Sequence, residues 1–249
     1  MLKRERHAYI LHQINLRNKV LSADLSLDIN VSDDTIRRDL HELAEAGKLI
    51  KVHGGALSTA FHSGHLAKRD VYSYTQKRMI AQKAASLIRD GMFVLTGGGT
   101  TIIEMARALP QHLHATFITG SIPVIFEYMN HPTIEVIAIG GKVSKNSKIT
   151  VGLEAISRIR GIRADLCFLG INAINLENGV SDNDWDVVQI KKAMVESSQK
   201  LVCLTIAEKI NSQQPIQVCE HADIDILITE RSPDDPLLKP YKEAGIQVL

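Results

Sequence analysis

Two stretches carry residue types whose spacing could do chemistry. Residues 92–109 read MFVLTGGGTTIIEMARAL. An apolar run ends in Gly97, Gly98 and Gly99, passes through Thr100 and Thr101, and becomes a helical pattern. A glycine loop between a strand end and a helix start offers backbone N–H groups and the positive end of a helix dipole to an anion. Residues 31–40 read VSDDTIRRDL. A helix starting there, capped by Ser32, exposes Ser32, Asp34, Thr35, Arg37 and Arg38 on its first two turns. In the second helix of a helix-turn-helix such groups reach phosphates and base edges of the major groove. The segment KVHGG follows, and its Lys51, His53 and Gly54 suit a wing lying along the DNA backbone.

Each stretch has a bland alternative. The glycine loop is not a dinucleotide fingerprint, because Ile102 stands where the third glycine belongs. It is not a Walker loop either: GGTT has no lysine, and GGKV ends in valine. A cradle for one phosphate and a tight turn serving packing both remain open. The arginine helix could be a packing module with solvated cations. Residues 1–57 hold nine Lys/Arg against eight Asp/Glu, a weak charge for one DNA-binding head. Several heads in a dimer or tetramer would add their contacts. Further anion contacts are expected from Lys142 in IGGKV, Asn172 in LGINAI and Lys209 after LVCLTI, with Lys148 a weaker one. Strand carboxyl ends converge on one crevice in open α/β sheets. In SDNDWDVV, Asp182, Asp184 and Asp186 surround Trp185, the one tryptophan. That run is either a metal-like acidic loop or, the preferred reading, a helix start capped by Asp182 or Asp184. Trp185 would then cover a ligand or an interface.

The elements that must position these groups follow from periodicity. Tyr9, Ile10, Ile14 and Leu16 stripe a first helix, Ser22 is the expected cap of a second, and Ile36, Leu40 and Leu43 line a third that closes at Gly47. A hairpin around His53–Gly55 completes a winged helix-turn-helix over 1–57. Residues 58–75 read as a linker. Over 76–249, helices (76–90, 101–109, 122–130) alternate with strands (92–96, 115–119, 134–139). The apolar runs ADLCFLGI, KLVCLTI and DILIT follow, with helical stretches between them. That alternation predicts an α/β domain with a mostly parallel sheet.

Composition excludes several classes. At 45% hydrophobic and 23% charged residues the chain is ordinary for a globular protein. No run approaches the ~20 apolar residues of a membrane helix, and the amino terminus lacks a signal-peptide core. The expected compartment is the cytoplasm. Cys167, Cys203 and Cys219 make no CxxC pair and read as buried small hydrophobes. Neither a metal nor a cofactor is expected. The net charge of +1 leaves nucleic-acid contact to a local patch.

VSDDTIRRDLHELAEAGKLIKVHGGAL resembles the signature of the DeoR-type bacterial transcriptional regulators. GGGTTIIEMA, ITGSIPV, IGGKVSKNSKITVG, ADLCFLGINAI and the late Lys209 continue that resemblance across essentially the whole chain. It implies an operator-binding repressor. Its second domain would resemble the sugar-phosphate isomerase fold and sense a phosphorylated sugar or related metabolite. The resemblance favours the phosphate cradle. One departure stands out: the family commonly has an acid two positions before its Gly-Thr/Ser-Thr, where this chain has Gly97 preceded by Thr96. A sugar-phosphate isomerase with a fused head is the rival reading. Such an enzyme needs a carboxylate base after the strand FLGINAI, where Gly170, Asn172 and Ala173 stand instead, and Asn cannot accept a proton. A protein-binding scaffold is the third.

Overall fold

The computed structural model describes residues 1–17, 19–59 and 72–249. They fall into two compact units, Met1–Tyr72 and Ser73–Leu249. The expected linker, 58–75, lies largely on residues 60–71, outside the described residues.

In the first unit, α1 (Lys3–Arg17), α2 (Ser22–Ile29) and α3 (Asp33–Glu45) are joined by a three-stranded antiparallel sheet. Its strands are β1 (Lys19–Leu21), β2 (Leu49–Val52) and β3 (Gly55–Ser58), with β3 in the middle. Ile10, Ile14, Val20, Leu25, Ile36, Leu40, Leu43 and Leu49 form the core, as the 3.6-residue spacing predicts. A side chain on Gly55 would collide with the Val20 carbonyl, so glycine lets β1 and β3 close. Gly47, at φ +68°, ends α3, and the Lys48 N–H bonds back to the Leu43 carbonyl at 2.9 Å.

Two local expectations meet different outcomes. The Ser32 hydroxyl accepts the Thr35 N–H at 3.3 Å and caps α3. Ser22 does not cap α2. It is that helix's first residue, Leu21 holds the cap position, and the Ser22 N–H goes to the Gly54 carbonyl at 2.8 Å. Strand β1, too short for a period to reveal, draws this turn into the wing.

One buried charge ties α1 to α3. The Asp39 carboxylate, 2% exposed, accepts from Arg6 Nε, from Arg6 Nη2 at 3.0 Å and from His7 Nε2 at 3.0 Å. Burial pushes this carboxyl up, but the bonds from Arg6 and His7 together outweigh it and hold it below the ordinary value.

The second unit is built on seven parallel strands: β4 (Phe93–Thr96), β5 (Thr116–Thr119), β6 (Glu135–Ala138), β9 (Ala164–Gly170), β12 (Ser198–Leu204), β14 (Ile226–Ile228) and β15 (Gln247–Val248). The order across the sheet is β15-β14-β12-β9-β4-β5-β6. Helices α4 (Tyr74–Ala85), α5 (Thr100–Arg107), α6 (Ile122–Met129), α7 (Leu153–Arg160), α8 (Trp185–Glu196) and α9 (Lys239–Glu243) accompany them. The expected parallel sheet is present, with the predicted elements a few residues shorter. From β4 the chain steps outward through β5 and β6, returns to β9 on the other side of β4, and steps outward again. The strand order therefore reverses between β4 and β9, the place where open α/β sheets form their ligand crevice at the carboxyl ends of the strands.

The stretches between the late apolar runs are only partly helical. A short antiparallel sheet, β10 (Ala173–Asn175), β11 (Gly179–Asp182) and β13 (Ile216–Cys219), lies there beside α8. A two-residue-per-strand hairpin, β7 (Lys142–Val143) with β8 (Thr150–Val151), follows β6. The three cysteines are buried free thiols. No helix among the described residues is long and apolar enough to cross a membrane.

Asp39→Ala should destabilise the head by about 3 kcal/mol, because it leaves the Arg6 cation partly buried without its partner. Lys3→Ala, which removes only the exposed Lys3–Glu42 pair, should cost less than about 1 kcal/mol. Urea unfolding of the full chain reads both, and equal costs would contradict the buried-pair account.

Candidate functional site

The exposed face of α3 carries the residues that the sequence singled out. Ser32 and Thr35 hydroxyls bond each other at 2.8 Å at the helix start. Arg37 pairs with Asp33 at 2.8 Å and lies 3.9 Å from Asp34. That pair is exposed, so its release to another anion costs little. Arg38 is exposed on the same turn. On the wing, Lys51, His53 and Gly54 are exposed, and Gly54 adopts φ +75° at the hairpin tip. A phosphate or base could meet hydroxyls, a helix N-terminus and two guanidinium groups on this surface. The rest of the head keeps its acids busy: Asp39 with Arg6 and His7, Glu42 with Lys3.

The glycine loop sits at the reversal of strand order. The Gly97 N–H bonds to the Phe168 carbonyl at 3.0 Å, which pins the loop across the β4–β9 boundary. Gly99 takes φ +119° and precedes α5, with no side chain capping the helix start. Thr100 and Thr101 are buried at that start. Neighbouring turns press close. A side chain on Gly98 would come within 3.1 Å of Ser121 Oγ and Ile149 Cγ2, and one on Gly170 within 3.2 Å of the Gly98 carbonyl. A side chain on Gly120 would collide with Thr150 Oγ1, a buried hydroxyl without a hydrogen-bond partner. Thr96, beside the position where an acid was sought, points inward: its hydroxyl accepts from Tyr128 Oη at 3.3 Å and its carbonyl from Thr119 Oγ1 at 2.8 Å.

One strand over, a charge cluster gathers at the ends of β9 and β12. Lys209 Nζ donates to Asn172 Oδ1 at 3.2 Å, and Asn172 Nδ2 donates to Asp182 Oδ1 at 3.0 Å. Asp182 also accepts from the Asn183 N–H at 2.7 Å and from Lys191 Nζ at 2.6 Å. Lys191 Nζ donates as well to the Gly170 carbonyl at 3.1 Å, so the cluster and the loop share Gly170. Glu230, from the end of β14, accepts the Ala207 N–H at 3.0 and 3.2 Å and so holds the turn that carries Lys209. Burial lowers the Lys209 ammonium to about 7, helped by Lys77 and Lys191 and opposed by Asp182 and Glu208. Lys77 on α4 is lowered by burial to about 8, opposed by Glu208. Burial pushes the Asp182 carboxyl up, but Lys191, Asn172 and Asn183 outweigh it and hold it below the ordinary carboxylate value.

The structure thus brings Gly97–Thr101, Asn172 and Lys209 to one end of the sheet. Lys142 lies on exposed β7, paired in register with Val151, and Lys148 is half-buried at φ +52°. Asp184 caps α8, accepting the Asp186 and Val187 N–H groups at 3.1 and 3.3 Å. Asp182 does not cap; it belongs to the cluster. Trp185 is 65% exposed. Among the described residues no group of three or more His, Cys, Asp or Glu could hold a metal ion. Sequence reasoning missed Asp182 as an acceptor, and missed Lys77 and Lys191 altogether. Both lysines sit in helical runs where a cation reads as solvated, and only the fold shows them turned inward.

Comparison with known proteins agrees with both halves. Residues 6–60 match the DeoR-like helix-turn-helix domain and residues 72–231 the DeoR C terminal sensor domain. The HTH-type transcriptional regulator GolR of Listeria innocua is 30% identical, over 98% of this chain and 97% of that protein. The glycerol-3-phosphate regulon repressor of Haemophilus influenzae is 29% identical, over 92% and 90%. Among solved structures, ribose 5-phosphate isomerase A from Methanocaldococcus jannaschii overlays at TM-score 0.40 and 17% identity, covering 58% of this chain and 55% of that one.

Lys209 should titrate near pH 7, as lysine side-chain NMR of the free protein can read. An anion in the crevice favours the charged ammonium and should raise that value. Inorganic phosphate affinity should therefore fall as pH rises through about 7 to 8, the range set by Lys209 and Lys77. A Lys209 that titrates above pH 10 would remove it from the buried cluster.

Proposed function

The chain belongs to the DeoR family of DNA-binding transcriptional regulators, and from that premise we propose that it is a repressor whose sensor domain answers a phosphorylated metabolite. The observation that carries the sensor reading is the glycine loop at the strand-order reversal. Backbone N–H groups and the α5 dipole meet there, Thr100 and Thr101 stand at the helix start, and Gly97–Thr101 itself contains no acid. The repressor sense draws support from the similarity to the glycerol-3-phosphate regulon repressor. The effector site is proposed as Gly97, Gly98, Gly99, Thr100 and Thr101 with Asn172 and Lys209, and Lys142 reaching from the neighbouring hairpin.

The operator contacts are proposed as Ser32, Asp34, Thr35, Arg37 and Arg38 on α3, with Lys51, His53 and Gly54 of the wing. Ser32, Thr35 and the helix start bond phosphates, and Asp34 keeps Arg37 oriented. Arg38 and a released Arg37 reach base edges or phosphates. The head's near-neutral charge makes one copy a weak binder, so we propose that the chain acts as a dimer or tetramer in the cytoplasm.

The chain stands as a regulator and not as an enzyme. The carboxylate of its cluster is also a poor base. Asp182 already accepts from three donors and is held in its charged, weakly basic form.

Two substitutions test the reading. Arg37→Ala and Arg38→Ala should each weaken binding to the chain's own upstream DNA by roughly 1–3 kcal/mol without changing the thermal melt of the sensor unit. Gel shifts at physiological salt check this, and parental affinity in both variants removes α3 from the groove. Thr100→Val should leave DNA binding intact and abolish release by a phosphorylated effector. An unchanged release would take the loop out of the sensing site.

A further inference from the structure

The two ends of the crevice differ in hydrogen-bonding character. At the glycine loop the offered groups are backbone N–H donors and the Thr100 and Thr101 hydroxyls. At the far end most acceptor positions are already taken. Asp182 Oδ1 receives Asn172 and Asn183, Asp182 Oδ2 receives Lys191, and Asn172 Oδ1 receives Lys209. What the cluster mainly offers a ligand is ammonium N–H: of three donors each, Lys209 uses one on Asn172, and Lys191 uses two on Asp182 and Gly170. Charge points the same way. Around Lys209 stand Lys77 and Lys191 against Asp182 and Glu208, three cations to two anions. A neutral sugar end brings hydroxyl donors to a place where few acceptor positions stay open; a carboxylate brings acceptors only. The loop and the cluster lie on adjacent strand ends, about 5–10 Å apart at one to two strand spacings. A short carbon chain bridges that span.

We infer that the effector carries a second anionic group: it is a phosphorylated hydroxy acid, with phosphate on the Gly97–Thr101 loop and carboxylate on Lys209 and Lys191. This rests on the phosphate reading of the loop. Sequestered ammonium groups forming charge-assisted bonds discriminate strongly between a carboxylate and an aldehyde or hydroxyl.

The test is calorimetry on the full chain with matched pairs of aldose phosphate and the corresponding phosphoaldonate of increasing chain length. Gluconate and inorganic phosphate complete the panel. The acid of the best-bound pair should bind at least about tenfold more tightly than its aldose. Lys209→Gln should erase that preference and weaken inorganic phosphate binding by a smaller factor than it weakens binding of the acid. Lys77→Gln repeats the test from α4 should Lys209→Gln fail to fold. Three results overturn the inference while the phosphate loop stands: an aldose phosphate bound as tightly as its acid, a preference for the acid that survives both substitutions, or an aldose phosphate alone displacing inorganic phosphate. Gluconate bound as tightly as its phosphorylated form would overturn it from the other end. If inorganic phosphate and every phosphorylated compound fail to bind, the loop's phosphate reading falls and takes this inference with it.

Discussion

The second domain depends on keeping one buried carboxylate compensated. Asp182, 2% exposed, and Lys191, 8% exposed, form an ion pair at 2.6 Å where the parallel sheet meets the small antiparallel one. Taking two such charges out of water is costly, and the attraction repays the cost only when the remaining lone pairs and protons are also satisfied. Here most of them are. The Asn183 N–H, Asn172 Nδ2 and the Gly170 carbonyl leave one Lys191 proton and one Asp182 lone pair open. The pair therefore does more than join β11 to α8. It sets the amide of Asn172 so that nitrogen faces Asp182 and oxygen faces Lys209, and it fastens the end of β9 beside the glycine loop. A hydrophobic pair of equal volume could hold the helix to the strand. It could not orient an amide or hold a lysine.

The head uses the same device for a different end. Asp39 joins α1 to α3 through Arg6 and His7, and it does so on the inner face of the helix whose outer face bears Arg37 and Arg38. With Asp39 and Glu42 occupied by partners from α1, the acids left near the outer arginines are Asp33 and Asp34 at the helix start. There the dipole favours them and they hold Arg37 in place. An almost neutral composition thus still yields a face whose cations are accessible. Net charge was uninformative because the charges that matter are segregated by side of one helix.

The parts of the fold that were legible in the sequence are those with a long enough period. The apolar parts of ADLCFLGI and KLVCLTI fell in β9 and β12 and are buried there, as a short apolar run between helices predicts. The loop at Gly97–Thr101 was legible because three glycines between an apolar run and a helix have few other uses. Short strands outside the apolar runs and the wing hairpin were not: no local period marks β1, β7, β8, β10, β11 and β13. Ser22 failed as a cap for the same reason, since β1 drew its N–H elsewhere. The charge cluster was half legible. Asn172 and Lys209 follow apolar strands directly, so their place at strand ends could be read. Lys77 and Lys191 face inward from helices on opposite sides of the cluster's strands, and Asp182 ends a strand that could not be seen.

That cluster also explains why a crevice with carboxylate, amide and ammonium groups is suited to holding a ligand and not to transforming it. Proton abstraction needs an acceptor with an open lone pair and a basicity near the working pH. Asp182 is poorly suited, because its neighbours fill three of its roughly four acceptor positions and stabilise its charge. Lys209 is lowered to about 7 by burial and by two other lysines, and a base of that strength could take a proton if it stood alone. An anion in the crevice removes that possibility by raising the ammonium's hold on its proton. On the proposed reading of the site, the ligand that binds best is the one that most firmly keeps Lys209 charged. Binding energy is then spent on the bound state itself, which is what a sensor requires and what catalysis must avoid.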